Sequence, residues 1–438
     1  MRKTFYLLLL TILAFQMSAF SQGGGMSGTY TINADAGQSP NFTSFTAAVQ
    51  ALSASGVNGQ VVFEVANGTY EEFLTIPSIA GASANQRIIF RGMGTTNEQV
   101  VLTSNAGYLE KNTLTLDGAD FISFENMTLQ TTSTNYANVV YLDKGVVSDY
   151  FINVRFVGYD NPNGGSGYVK NQNIIYDKSQ DVGNLDSDLQ FKNCSFTYGD
   201  YAFYMQGPGW QKPNDTHLLI ENCTFSNQRF KSIYLTYQED AIVRNNTFEN
   251  NKDVKEYWAI DAFRSYYGTV VENNVIHADL NTVNAEGIIF RPGTGSAEHP
   301  IIVRNNMISI HSNDNYSMGI YVKDDETSHL YVSHNTVKMT GTGIATNLFV
   351  EKSFQNLTVN NNIFINETPG YVFRYQSDDV TGRVCDYNRI SFTGEKVGRL
   401  GTTDYATLEA WQIGTGFDTH TALCTPSFVS TSICLKSL

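Results

Sequence analysis

The chain has 438 residues, of which 42% are apolar and only 16% charged, and its net charge is −14. That acidity excludes a protein that wraps nucleic acid, since such proteins neutralise phosphates with basic surface. Plentiful Gly (36), Phe (27) and Tyr (25) beside scarce Pro (9) exclude a helical bundle and a disordered tail, and indicate a β-rich chain with many polar turns.

Arg2 and Lys3 precede a short apolar run over residues 5–15, and Ala19 and Ser21 supply small residues at the positions that determine cleavage. This is the pattern of a secretory signal over residues 1–21, too short to anchor in a membrane. No later stretch is apolar for long enough to span one, so the expectation is an exported, monomeric protein. Its net charge would be −16, because the signal carries two bases and no acids.

Residues 22–60 read as an N-terminal cap. Phe45, Ala48, Val49 and Leu52 recur at helical spacing, Thr43 or Ser44 can serve as N-cap, and Gly56 as the stop. The spacing predicts an amphipathic helix near 44–54. The strand Val61-Val62-Phe63-Glu64-Val65 and the segment Gly68-Thr69-Tyr70-Glu71-Glu72 follow.

From residue 61 to 438 the chain repeats itself. Phe191-Lys192-Asn193-Cys194-Ser195-Phe196, Val243-Arg244-Asn245-Asn246-Thr247-Phe248 and Val303-Arg304-Asn305-Asn306-Met307-Ile308 are three copies of one unit. Its first Asn position falls at 126, 153, 193, 222, 245, 273, 305, 334 (a His) and 361. A period in the twenties with variable insertions, built of β-branched and aromatic runs, predicts a parallel β-helix with one coil per repeat and about eleven coils. A second strand recurs in each coil, as in Ser232-Ile233-Tyr234-Leu235 and Gly287-Ile288-Ile289-Phe290.

Strand parity assigns the two Asn columns. The second column reads Met127, Val154, Cys194, Cys223, Asn246, Asn274, Asn306, Asn335, Asn362. It faces the core, and its amides are expected to stack and bond as an internal ladder rather than to bind a ligand. The first column belongs at the turn, where Asn tolerates a left-handed backbone.

The repeats, with the capping helix and the GTYxE segment ahead of them, resemble the right-handed parallel β-helix, or pectin-lyase-like, family of secreted bacterial proteins, over roughly residues 28–430. The resemblance implies an all-β solenoid with an N-terminal capping helix. It does not fix function, because lyases, hydrolases, esterases, epimerases and adhesins share the architecture. Residues 386–388 and 411–419 resemble the last coils of such proteins. The family usually continues into further strand and a terminal domain after a segment like Pro426-Ser427-Phe428-Val429, so a truncated end with a missing sorting domain is expected.

Five cysteines give no readable pairing. Cys194 and Cys223 are expected as a buried free pair, and Cys385, Cys424 and Cys434 could include one disulfide. No zinc, nucleotide or GxSxG motif is present, nor the paired aspartates with Gln and Arg expected of an esterase of this fold.

Aligning the second strands places Thr236, Arg264, Arg291 and Lys323 at comparable outward positions, with Tyr237, Trp258, Tyr266 and Tyr267 beside them. A basic and aromatic stripe on an acidic protein suits an anionic glycan, with sugar rings stacked on the aromatics. Tyr237, Trp258, Tyr266, Arg264, Arg291 and Lys323 are the candidate substrate-binding residues. Lyases of the family neutralise a uronate with Ca²⁺ or basic groups and remove its C5 proton with Arg, Lys or Tyr, which makes Arg264, Arg291 and Lys323 the candidate catalytic residues. No cofactor is implied apart from Ca²⁺ in the lyase case. Asp324-Asp325-Glu326 is a weaker Ca²⁺ candidate, since three consecutive acids do not converge without a turn. The reading is a protein that binds an acidic polysaccharide and, in the lyase case, cleaves it; the alternative is a non-catalytic cell-surface adhesin or rigid spacer on which these side chains are merely solvated.

Overall fold

The computed structural model describes residues 24–425 apart from 39, 106, 108–111, 135–136, 161–171, 178–180, 253, 255, 281–283, 292, 324–326 and 353–354. The signal segment, Asp324, Asp325, Glu326, Cys434 and residues 426–429 lie outside the described residues.

The chain winds as a solenoid of about 12 turns, one more than the repeat count predicts. Three faces arise because each coil carries three strand segments, and the same face of each successive coil pairs in parallel. Two faces belong to a 24-stranded sheet and the third to a 14-stranded one. Each face sends one column of apolar residues inward. Phe151, Phe191, Ile220 and Val243 align on the first. Phe156, Phe196, Phe225 and Phe248 align on the second, and Phe203, Ile233, Ile260 and Ile288 on the third. All are buried. The rings of the second column stack 4.5–4.9 Å apart, which adds ring–ring attraction to about 1.5–3 kcal/mol per buried side chain.

The corner between the first two faces is made by the first Asn column. Asn126, Asn153, Asn193, Asn222, Asn245, Asn273, Asn305, His334 and Asn361 all adopt φ between 53° and 58°. Just inside that corner runs the amide ladder. Asn246, Asn274, Asn306, Asn335 and Asn362 are buried. From Asn274 onward each Oδ1 accepts the backbone N–H and the Nδ2 of the Asn one coil before, at 2.9–3.0 Å, as from Asn246 to Asn274 and from Asn335 to Asn362. The ladder starts at the Cys223 amide and continues through Asn388 to Asp418.

Two helices close the ends. Helix α1 (Phe45–Ser55) buries Phe45, Ala48, Val49 and Leu52, with Ser44 as N-cap and Gly56 as stop. Glu72 of the GTYxE segment accepts from the Phe45 and Thr46 amides, so a carboxylate occupies the positive end of the helix. Helix α2 (Leu408–Thr415) lies where the sequence suggests a final coil. Trp411 is buried and stacks on Phe373 and Tyr375, covering the last apolar layer with a helix instead of a strand. Cys194, Cys223, Cys385 and Cys424 are all free thiols. Among the described residues, no helix is long and apolar enough to cross a membrane.

Candidate functional site

The outer surface of the third face carries the site. One outward column runs Tyr141, Tyr176, Tyr204, Tyr234, Asp261. The four tyrosines succeed one another at 5.1–5.7 Å between ring centres. The Tyr141 and Tyr176 rings stack, whereas the next two pairs are tilted by 46° and 51°. Burial raises the Tyr234 phenol above its ordinary pKa, and the nearby Asp261 charge adds to this.

At the end of that row the chain buries three charges. Asp261 is fully inaccessible. Lys231 Nζ lies 2.6 Å from its Oδ2, Arg291 Nε lies 3.0 Å from its Oδ1, and Arg291 Nη2 also contacts Oδ2. Lys231 sits 3.7 Å from the centre of the Trp258 indole, and the Arg291 guanidinium lies 5.1 Å from the same ring and 4.9 Å from Phe263. Burial lowers the Lys231 pKa, and Asp261 opposes the shift. Burial also acts to lower that of Arg291, but Asp261 outweighs it and the net shift is upward.

Glu286 is the next residue across the sheet. The register aligns Lys231, Trp258 and Glu286 on three successive coils. Glu286 is 5% exposed, and its Oε2 is buried with no hydrogen-bond donor. Burial, with the Asp261 and Glu256 charges, pushes its pKa up to about 8, so it holds its proton at neutral pH. The strand then bends at Gly287, where a Cβ would fall 2.4 Å from the Gly319 carbonyl oxygen.

The site continues to the corner through Phe263, whose ring also faces the Arg264 guanidinium at 5.4 Å. Arg264 lies 4.5 Å from the centre of the Trp210 ring and 5.7 Å from that of Tyr237. Trp210 is 49% exposed, so the indole is backed by a cation and open to solvent. Arg264 Nε and Nη1, and Trp258 Nε1, are buried donors with no acceptor among the described residues.

The structure redraws the stripe expected from the sequence. Thr236, Phe263 and Arg291 share one register position, whereas Arg264 is one residue further on, opposite Tyr237. Both of these have left-handed backbones, with φ 51° and 57°, so the strand turns there and the two side chains sit at the corner. A one-residue slip separates them from Arg291 in direction, and Phe263 rejoins them in space. Tyr266 aligns with Glu239 beyond that turn and does not belong to the group. Lys323 is in the next coil, 2.9 Å from Glu351, which also bonds the Tyr321 hydroxyl. The site residues Trp210, Lys231, Tyr234, Asp261 and Glu286 escaped the sequence reading, although the tyrosines at matching strand positions were a visible signal.

Among the described residues, the donor set of this face does not fit a lyase-type Ca²⁺: Asp261 is taken up by Lys231 and Arg291, Glu351 by Lys323, and burial favours the protonated form of Glu286.

Residues 163–309 match the family model for the right handed beta helix region. The chain is a right-handed parallel β-helix protein. No curated protein sequence matches it. Among solved structures, this β-helix is similar to a surface adhesin of Streptococcus pneumoniae, at 14% identity and a TM-score of 0.47, covering 72% of this chain and 86% of that one. It is also similar to a mannuronan C-5 epimerase module from Azotobacter vinelandii, at 12% identity and 0.43, covering 87% and 94%. A third is a pectin methylesterase from Erwinia chrysanthemi, at 13% and 0.36, covering 72% and 90%. At these identities the likeness is one of architecture.

Proposed function

We propose that this protein is exported and binds an extended glycan on the outer surface of its third face, between Trp210 and Trp258. The observation that carries the reading is the set of buried donors without acceptors, Arg264 Nε and Nη1 and Trp258 Nε1, beside the open Trp210 ring. A pyranose face covers the open Trp210 indole, and a small shift of the Arg264 and Trp258 side chains would turn their donors to the hydroxyl oxygens of the ligand. The tyrosine row adds phenol oxygens at the coil repeat of about 4.8 Å, comparable to the advance of a sugar chain.

The acidic-polysaccharide reading narrows. Lys231 and Arg291 are balanced by Asp261 and the nearby Glu256, which leaves the Arg264 guanidinium for one acidic sugar group, while Lys323 is paired with Glu351. The face therefore accepts an isolated uronate better than a continuous run of charge. A screen of uronate-containing and neutral polymers tests this. Binding that is lost in Trp210→Ala and Arg264→Ala, with salt weakening only the uronate polymers, supports the reading. A parent protein that binds none of them, or variants that bind as tightly as the parent, sink it.

The spacer reading is favoured by a different observation. The continuous ladder from Cys223 to Asp418 stiffens the solenoid independently of any ligand.

A further inference from the structure

Apart from the glycan face, the interior holds charges that an apolar solenoid core does not explain. Asp177, Asp186 and Asp215 are 1–2% exposed and offer one oxygen each, all within 4.8 Å of one another. Asp177 stands in an inward column whose neighbours are Leu142 and Met205, so an anion replaces an aliphatic side chain in the core.

Among the described residues, backbone amides and one carboxamide donate to them, and Asp177 has a further interaction besides. Val146 N–H donates to Asp186 Oδ1, Asp186 N–H to Asp215 Oδ1, Gln206 N–H to Asp177 Oδ2 and Gln238 Nε2 to Asp215 Oδ2. Asp186 Oδ2 is buried with no donor among the described residues. A separate carboxylate, Asp149, is 1% exposed, and its Oδ2 is also buried without a donor. Burial raises the pKa of Asp149, and the charge of Asp186 contributes, so the two groups feel each other. Buried carboxylates are costly unless paired with a cation or coordinated to a metal; Asp149 has Arg87 as a positive neighbour, whereas the Asp186 oxygen points to a positive partner for the cluster.

We propose that Asp177, Asp186 and Asp215 hold one divalent cation of the calcium class inside the coil, as a structural site. All the ligand atoms are hard oxygens. Two oxygens bound to one Ca²⁺ at about 2.3–2.6 Å are at most about twice that distance apart, and the span of the cluster fits within this. A half-turn of the Gln238 amide, whose two ends are nearly isosteric, would turn its carbonyl oxygen toward the ion. The site lies on the inner side of the strands that carry the glycan face, with Gln206 and Gln238 bonded to it, and its argument does not depend on the glycan reading.

The test uses the full chain, unfolded and refolded in chelator, then titrated calorimetrically with Ca²⁺ and separately with Mg²⁺. The expected result is one Ca²⁺ per chain, with a rise of several degrees in the unfolding midpoint. Asp186→Asn should weaken uptake at least tenfold and erase the rise while keeping the circular-dichroism spectrum of a β-solenoid. Asp215→Asn should do the same, so the proposal stays testable if one variant fails to fold. Absence of Ca²⁺ uptake by the parent, uptake of Mg²⁺ alone, or uptake undiminished in a folded variant would overturn it, and the carboxylates would then be held neutral by protons.

Discussion

Asn306 shows how much one amide does in this fold. Its Oδ1 accepts from the Asn274 N–H and Nδ2, and its Nδ2 donates to the Val271 carbonyl and to Asn335 Oδ1. Leucine at this position fills similar space but strands buried groups on both neighbouring coils. Asn306→Leu should cost about 1–3 kcal/mol, read as a shift of the urea midpoint. Glu286 acts through its proton. Its pKa rises from the unfolded value near 4.5 to about 8 in the fold. Between these values the unfolded chain has released the proton and the folded one has kept it, so stability falls as pH rises through that window, by at most about 1.4 kcal/mol per pH unit. Glu286→Gln should flatten the dependence between about pH 5 and about pH 8; an unchanged slope would mean that Glu286 is ionised in the fold. The Asn columns were legible in the sequence because the same residue recurs at every coil. Lys231, Asp261 and Glu286 were not, because each occurs once and gains meaning only through cross-coil register.

At the scale of elements, the ends of the solenoid depend on helix caps. Ser44 Oγ accepts from the Ala47 N–H, and Ser44→Ala should lower stability by about 1 kcal/mol, measured by thermal melting. Trp411 of α2 covers Phe373 and Tyr375, and its Nε1 donates to Asp418 Oδ2, the residue that ends the amide ladder. Trp411→Ala should therefore cost about 3–5 kcal/mol and speed exchange of the Asn388 amide; a loss under 1 kcal/mol, about the size of a surface change, would contradict its capping role. Helix α1 was legible from its N-cap, its four-residue apolar spacing and its glycine stop. Helix α2 was not, because eight residues with one buried side chain carry too little periodicity to stand apart from the coils before them.

For the whole molecule, the parallel β-helix could be read from period and parity alone, since apolar columns that repeat every coil have few other ways to become buried. The functional surface was only partly legible. Arg264, Arg291, Trp258 and Tyr237 do gather in space, but through Phe263 and across a left-handed turn that shifts the register by one residue, which repeat alignment does not reveal. A glycan is proposed to lie on the third of the three faces. Amide hydrogen exchange, with and without the tightest-binding polymer from the screen, tests it most directly. Protection should appear in the segments Tyr201–Gln206, Lys231–Glu239 and Glu256–Tyr266, and leave the second-face strands Thr224–Ser226 and Thr247–Asn250 unchanged. Protection confined to the second face, or spread evenly around the coils, would contradict the assignment.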